Sequence, residues 1–454
     1  MEDITMRKIF QYIMLAVVII VMASCTSDIE ETTATTDKSN VQLVVGEFPA
    51  FGDSQTRAIG TPDEGKTSWA VGDELLLEID NTFYGKQYAT FTYNGKSWKL
   101  TSGELVYREG DPAYIPHVYY APNYKWEAGK LVLKEGKDPG TDEYIEGKAR
   151  ITGNGETITV SFAEATRKYS RLRIATLPNE QITVDTEYFT PAGSSDMEQE
   201  GNYTLTSDEK GNAYLYGTFE NNSEVTVKYR EAALTTHTFS QATESAKSYA
   251  LDATVISANS AEEIKSAIEQ KVADGKTIIR LNLAPNAGTD EFMAIREAIK
   301  GAAPNDEGTI ELTIIGVETI PEEAFKRMSQ LKSVKMPDVK EIKKYAFSEC
   351  RYLTVVEAPS LNKLNSGAFN ECNLLSKLTF GPINYADARY WPIFKDITPN
   401  IDLILSDYQK EMIETDDDLY TANNDIDYAL SNEHRDKKFL GYEFKSITCI
   451  YKFE

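Results

Sequence analysis

The chain has 454 residues, with 71 Asp and Glu against 47 Lys and Arg, and a formal net charge of −24 at pH 7. That balance excludes nucleic acid as a partner, because phosphate contacts need Lys and Arg, and it disfavours docking on an anionic membrane without an anchor. Only three His, at 117, 237 and 434, and four Cys are present, too few for a disulfide-stapled scaffold, and a base-activated nucleophile lacks its usual partner.

Arg7 and Lys8 precede an apolar run from Tyr12 to Met22, followed by Ala23, Ser24 and Cys25. A cationic start, a short apolar segment and small residues form a secretory signal. The run is shorter than the roughly 20 apolar residues that a membrane span needs. Met22-Ala23-Ser24-Cys25 resembles a bacterial lipobox. The resemblance implies acylation of the Cys25 sulfur and cleavage that leaves Cys25 first, with residues 1–24 removed as a signal peptide. The membrane partner is then reached through the lipid, and the expected location is the outer membrane, on the cell surface. Thr26-Ser27-Asp28-Ile29-Glu30-Glu31 is similar to the acidic tether of surface-exposed lipoproteins in some Gram-negative anaerobes, and residues 25–40 read as a flexible tether.

From Val41 to about Ser257 the text is strand-like. Val41-Gln42-Leu43-Val44-Val45 and Leu75-Leu76-Leu77-Glu78-Ile79 are short apolar runs, and Gln87 to Tyr93 and Thr157 to Phe162 alternate. Asn94-Gly95, Glu109-Gly110-Asp111-Pro112, Asn154-Gly155 and Lys210-Gly211-Asn212 punctuate them. Short strands with regular turns predict all-β sandwiches, two in series, over 41–165 and 166–257.

Three short stretches add a family likeness. Thr56-Arg57-Ala58 follows the first β-run, Trp69-Ala70-Val71-Gly72-Asp73 leads into an apolar strand, and Tyr169-Ser170-Arg171-Leu172-Arg173-Ile174 opens the second unit. With these, about half the chain resembles the fimbrillin family, the transthyretin-like β-sandwich lipoproteins of type V pili and their relatives. In pilus subunits of that family an Arg-specific protease cuts at this place, here between Arg57 and Ala58. The first strand is lost, and a strand from the next fimbrial subunit fills the groove by β-augmentation. On that reading Val41, Leu43 and Val45 are inward residues of the removed strand. The plainer reading keeps Arg57 as a loop residue in a chain that stays lipidated. Both stand at this point.

Beyond residue 257 the period changes. Ala261 to Val272 predicts an amphipathic helix with Ser260 as N-cap and Ile264, Ala267, Ile268 and Val272 on one face. Thr277–Leu283 is a predicted strand, Glu291–Lys300 a helix and Thr309–Gly316 a strand. Then Ala324-Phe325, Ala346-Phe347 and Ala368-Phe369 recur every 22 residues. Columns of Val317, Val339 and Leu361, of Met328, Cys350 and Cys372, and of Val334, Val356 and Leu378 keep the same spacing. A fixed period near 20 residues predicts a solenoid whose repeats share one core.

The recurring Ile-x3-Ala-Phe-x2-Cys-x2-Leu-x2-Val frame resembles BspA-like leucine-rich repeats, with Met328 replacing Cys in the first copy and Leu378 replacing Val in the third. Three full repeats are legible over 258–382, with helix–strand pairs as an N-terminal cap. Residues 383–454 are expected to cap the other end, finishing in an alternating strand from Tyr442 to Tyr451.

The chemical candidates are weak beside their structural readings. Cys350 and Cys372 fit one buried core column better than a zinc site, which wants a tight Cys pair. Asp416, Asp417, Asp418, Asn423, Asn424, Asp425 and Asp427 lack the Gly and Glu offsets of an EF-hand and read as a solvated loop. No nucleophile elbow, zinc helix or phosphate loop occurs. No catalytic residue, cofactor or metal is therefore expected.

The fold class expected is mixed: tandem all-β sandwiches, then a short α/β leucine-rich-repeat solenoid with caps. The function expected is non-catalytic adhesion or protein interaction at the cell surface, with a fimbrial tip or accessory role as its sharper form. BspA-like proteins are associated with adherence, which the resemblance implies here toward a host or bacterial surface protein or glycan. Alternate positions on the repeat strands, Ser333, Lys335, Val355, Glu357, Lys377 and Thr379, are the candidate contact surface, with Val334, Met336, Val356, Ala358, Leu378 and Phe380 inward. The alternative is a polysaccharide-capturing lipoprotein, marked by exposed aromatics on one face. A cryptic glycoside hydrolase, marked by a carboxylate pair in a cleft, comes third.

Overall fold

The computed structural model describes residues 41–51, 65–105, 113–152, 157–162, 167–230, 232–258, 260–387, 392–397, 400–405, 414–415, 438–440 and 442–449. Among them are two helices and a large excess of strand. Every described element before residue 258 is β.

The first unit holds β1 (Gln42–Val45), β2 (Glu74–Asn81), β3 (Gly85–Tyr93), β4 (Trp98–Gly103), β5 (Ala113–Tyr120), β6 (Tyr124–Glu127), β7 (Lys130–Leu133), β8 (Ile145–Thr152) and β9 (Thr157–Ser161). Seven of these form one sheet in the order β1-β9-β8-β5-β2-β3-β4. Leu43 of β1 and Leu100 of β4, from opposite ends, pack on the same core as Leu75, Leu77, Phe91 and Val118, so the sheet folds over on itself. The continuous apolar run of β2 has a physical cause. Leu75, Leu77 and Ile79 face that core, while Leu76 faces outward beneath the β6–β7 hairpin. A strand buried on both faces loses its alternation.

The Trp69–Asp73 motif is the hinge into β2. The Trp69 ring meets Phe48, Trp98 and Tyr120 edge-on at 4.9, 5.2 and 5.3 Å, and its indole N–H donates to Gly46 O at 2.8 Å. Asp73 accepts from Ala70 N at 2.7 Å and from Lys66 Nζ at 2.8 Å, and Gly72 takes φ +96° to make the turn.

The second unit holds β10 (Ser170–Ala175), β11 (Gln181–Pro191), β12 (Glu198–Thr206), β13 (Asn212–Phe219), β14 (Glu224–Tyr229), β15 (Ala232–Thr238) and β16 (Ser248–Asp252). Its sheet runs β15-β14-β11-β13-β10-β16, with β12 on β11. All six residues of β10 are buried. The two units meet over a buried ion pair between Arg167 and Glu143.

The third unit starts with β17 (Ile256–Ser257), α1 (Ala261–Ala273), β18 (Ile278–Asn282), α2 (Thr289–Ala302) and β19 (Ile310–Ile315). Ser260 caps α1 by accepting from Glu263 N at 3.3 Å, and Ile264 and Ile268 are its buried face. Then long and short strands alternate: β20 (Thr319–Ile320), β21 (Leu331–Lys335), β22 (Glu341–Ile342), β23 (Val355–Ala358), β24 (Lys363–Leu364), β25 (Lys377–Phe380), β26 (Tyr385–Ala386), β27 (Asp402–Leu405) and β28 (Glu414–Thr415). The chain ends in β29 (Lys438–Phe439), β30 (Tyr442–Glu443) and β31 (Ser446–Cys449).

The long strands form a wholly parallel sheet, β17-β18-β19-β21-β23-β25-β27-β31, and the short ones a second parallel ladder, β20-β22-β24-β26-β28. Each 22-residue step sets Val334 beside Val356 and Val356 beside Leu378. The next step, Leu378 to Leu403, takes three residues more. The insertion is absorbed before Phe394, which stacks on Phe369 at 5.7 Å as Phe369 stacks on Phe347 at 5.5 Å. The expected terminal strand from Tyr442 to Tyr451 is a correction: it breaks at Phe444 and Lys445. Phe439 and Tyr442 pair in a small hairpin, and Lys445 N turns to Ile401 O at 2.9 Å to start β31. The alternation expected of one strand therefore comes from two.

Candidate interaction surface

The six inward positions, Val334, Met336, Val356, Ala358, Leu378 and Phe380, are all 0% exposed. The remaining positions of the long strands line the outer face in two rows. One row runs Ser333, Val355, Lys377, Asp402 and Ser446, and the other Lys335, Glu357, Thr379, Ile404 and Thr448. The six residues singled out from the sequence thus sit side by side. Lys335 pairs with Glu357 at 3.3 Å, and Lys377 is exposed. Asp402, Ile404, Ser446 and Thr448 escaped sequence reading because their strands do not keep the 22-residue step.

The face is not free along its whole length. At its first end Arg280 and Thr313 are 3% and 6% exposed although their positions face outward. Arg280 Nε donates to Leu234 O of the second unit at 2.6 Å, and Ile315 packs into that unit's core. Burial pulls the Arg280 pKa down, opposed by Asp252. The open part therefore begins at β21. Its edges are braced from rung to rung by Lys332 to Glu311 at 2.7 Å, Arg327 to Glu349 at 2.9 Å and Lys445 to Asp402 at 2.9 Å. Such exposed pairs are screened by solvent and add little to stability, so they set side-chain directions more than they stabilise the fold.

Cys350 and Cys372 are fully buried thiols with no disulfide. Cys350 Sγ donates to Phe325 O at 2.9 Å and Cys372 Sγ to Phe347 O at 3.1 Å. Each thus ties one rung to the rung before it. Burial pushes the Cys350 thiol up to about 12 and Cys372 well above its ordinary value, which favours the neutral thiol over the reactive thiolate. Among the described residues no group of three or more His, Cys, Asp or Glu could hold a metal ion, and no helix is long and apolar enough to cross a membrane. Cys25, Arg57, Ala58, His434, Tyr390, Trp391 and the acidic stretch from Asp416 to Asp427 lie outside the described residues.

The search of curated proteins finds no match. The Ala-Phe frame alone marks three repeats, but residues 309–390, the stretch that builds most of the open face, match the family model of the BspA type leucine rich repeat region in six copies.

Proposed function

We propose that this chain is a non-catalytic adhesion or protein-interaction lipoprotein of the outer-membrane surface. Under this reading residues 1–24 are removed and Cys25 carries the lipid. Residues 25–40 tether the protein, 41–165 and 166–257 are fimbrillin-like sandwiches acting as a spacer, 258–382 form the presented repeat solenoid, and 383–454 close its end. BspA-type repeat regions are generally surface interaction modules. The observation that carries the reading is the open outer face, mixed in charge, whose strands β21, β23 and β25 lie within the stretch that matches that family. Beads bearing the mature chain with Cys25→Ser should adhere to epithelial monolayers, and Val355→Glu with Lys377→Glu should remove most of that adherence. Equal adherence of the variant would exclude this face.

The sharper form places the protein at a pilus tip. Strand β1 supports it: β1 lies at the end of its sheet, held by parallel pairing with β9, with Val41 buried and Leu43 and Val45 packed on the core. A chain whose C-terminal segment is folded into the repeat unit accepts a strand more readily than it donates one. Intact-mass spectrometry of the protein from its native outer membrane decides the point. A mass beginning at Ala58 supports strand removal, and an acylated Cys25 rules it out.

A further inference from the structure

The β2–β3 turn carries two exposed aromatic side chains: Phe83 is 71% exposed and Tyr84 40%. The turn is fixed. The Asn81 side-chain oxygen accepts from Phe83 N at 2.8 Å and from Tyr84 N at 3.1 Å, and Asn81 itself is 1% exposed. Beside the turn lies a groove of about 420 Å³ lined by Tyr84, Lys86, Gln87, Tyr88 and Glu104. Tyr88 is backed by Trp126 of the β6–β7 hairpin, with ring centroids 4.8 Å apart. The hairpin can lie this close because Gly129 takes φ +74° where a Cβ would stand 3.1 Å from the Tyr88 ring.

Rings and polar groups interleave here. Lys86 binds Glu78 at 2.7 Å across the sheet, so its charge is already balanced. Gln87 and Glu104 add an amide and a carboxylate at the groove wall. We propose that this groove is a glycan-binding site that takes a neutral polysaccharide chain, with Phe83 and Tyr84 as its stacking platform. A pyranose ring offers an apolar C–H face to an aromatic ring and a rim of hydroxyls to polar side chains, and the groove supplies both. An apolar helix or acyl chain would bury the Glu104 carboxylate without offering it a matching group, at a desolvation cost. A polyanionic chain would meet a protein of net charge −24. The site lies on the first unit and stands independently of the repeat face.

The test is affinity electrophoresis of the mature chain with Cys25→Ser through native gels containing hydroxyethyl cellulose, xyloglucan, galactomannan or glycogen. Retardation by at least one of them is expected. The double variant Phe83→Ala, Tyr84→Ala alters an exposed turn, so its thermal midpoint should match the parent while apparent affinity falls roughly tenfold or more. Lys377→Glu on the repeat face should leave retardation unchanged. Absence of retardation in every gel, or equal retardation of the double variant, overturns the proposal. So does a change from dimer to monomer in sedimentation on the double substitution, which would make the groove a contact between copies.

Discussion

The rings of Phe347 and Phe369 lie 5.5 Å apart and within 6° of parallel, the central step of a column that runs from Phe325 to Phe394. Each ring is contributed by one repeat, so each repeat's core is completed only by its neighbours. Phe347 has a ring on both sides and is fully buried. Phe347→Ala should therefore cost about 3–5 kcal/mol, a transfer loss plus an uncollapsed cavity. Leu374→Ala in the same region, at a side chain 53% exposed, should stay within about 0.5 kcal/mol. Denaturant unfolding of both variants checks the contrast, and equal midpoints would mean that the column is not a stabilising feature.

The alkaline limb of stability follows from buried acids held neutral. Burial raises Cys350 from 9.0 to about 12 and Tyr119 and Tyr124 from 10.0 to about 12. A raised folded-state pKa means that the native form keeps its proton after the unfolded chain has lost it. Stability is then fully present below the unfolded values and is lost as pH rises through them toward 12. Denaturation midpoints taken from about pH 8 to about pH 11 should fall steadily. Cys350 and Cys372 should also resist alkylation at mild alkaline pH until the protein is unfolded, because the thiolate is the reacting form. Fast native labelling at either position would overturn this account of the core.

Much of the third unit was legible because its signals are local. Ser260 and the spacing of Ile264 and Ile268 mark α1, and apolar columns at a constant step mark the ladder. Legibility fails where the step fails. Three extra residues hide the rung of Phe394, where Ile393 replaces the usual Ala. Strands β17 and β31 join the parallel sheet through pairings that no local pattern announces. The same holds for β1, which pairs with a strand more than a hundred residues away. The outer rows were readable from simple alternation. That Arg280 and Ile315 are covered was not, since the cover comes from the second unit. Phe83 and Tyr84 stand in a turn, outside the strand alternation on which the sequence reading of this region rested.

Backbone handedness repeats with the sequence. Glu323, Tyr345 and Gly367 stand at equivalent positions of successive repeats and take φ +56°, +55° and +64°; Arg327, Glu349 and Glu371 do the same four residues on. The left-handed region costs an L residue roughly 1–2 kcal/mol. The third repeat has relieved that cost with glycine, and the first two have not. Gly367→Ala should thus destabilise by about 1 kcal/mol or slightly more while keeping the fold, as its neighbours show that a side chain is tolerated there. Thermal unfolding measures it, and a gain in stability would contradict the strained-turn account.

The junction between the two β units rests on Arg167. Its side chain is 0% exposed, paired with Glu143, donates to Pro49 O at 2.8 Å and lies 3.7 Å above the Phe51 ring. Burial pushes the Glu143 carboxyl up, opposed by the Arg167 guanidinium beside it. Removing one leaves a buried charge alone, which costs about 3–5 kcal/mol. Arg167→Met and Glu143→Met should each destabilise by that order, whereas the double apolar variant should lose far less than their sum. Pro49 and Phe51 reach this junction from the segment that follows β1. A chain beginning at Ala58 lacks both, so it should lose stability at the junction unless another strand fills the place. A double-mutant cycle by denaturant unfolding tests the first claim, and the same titration on the shortened chain tests the second. Additive single losses, or a shortened chain as stable as the full one, would show that the segment from β1 to Phe51 does not clamp the two units.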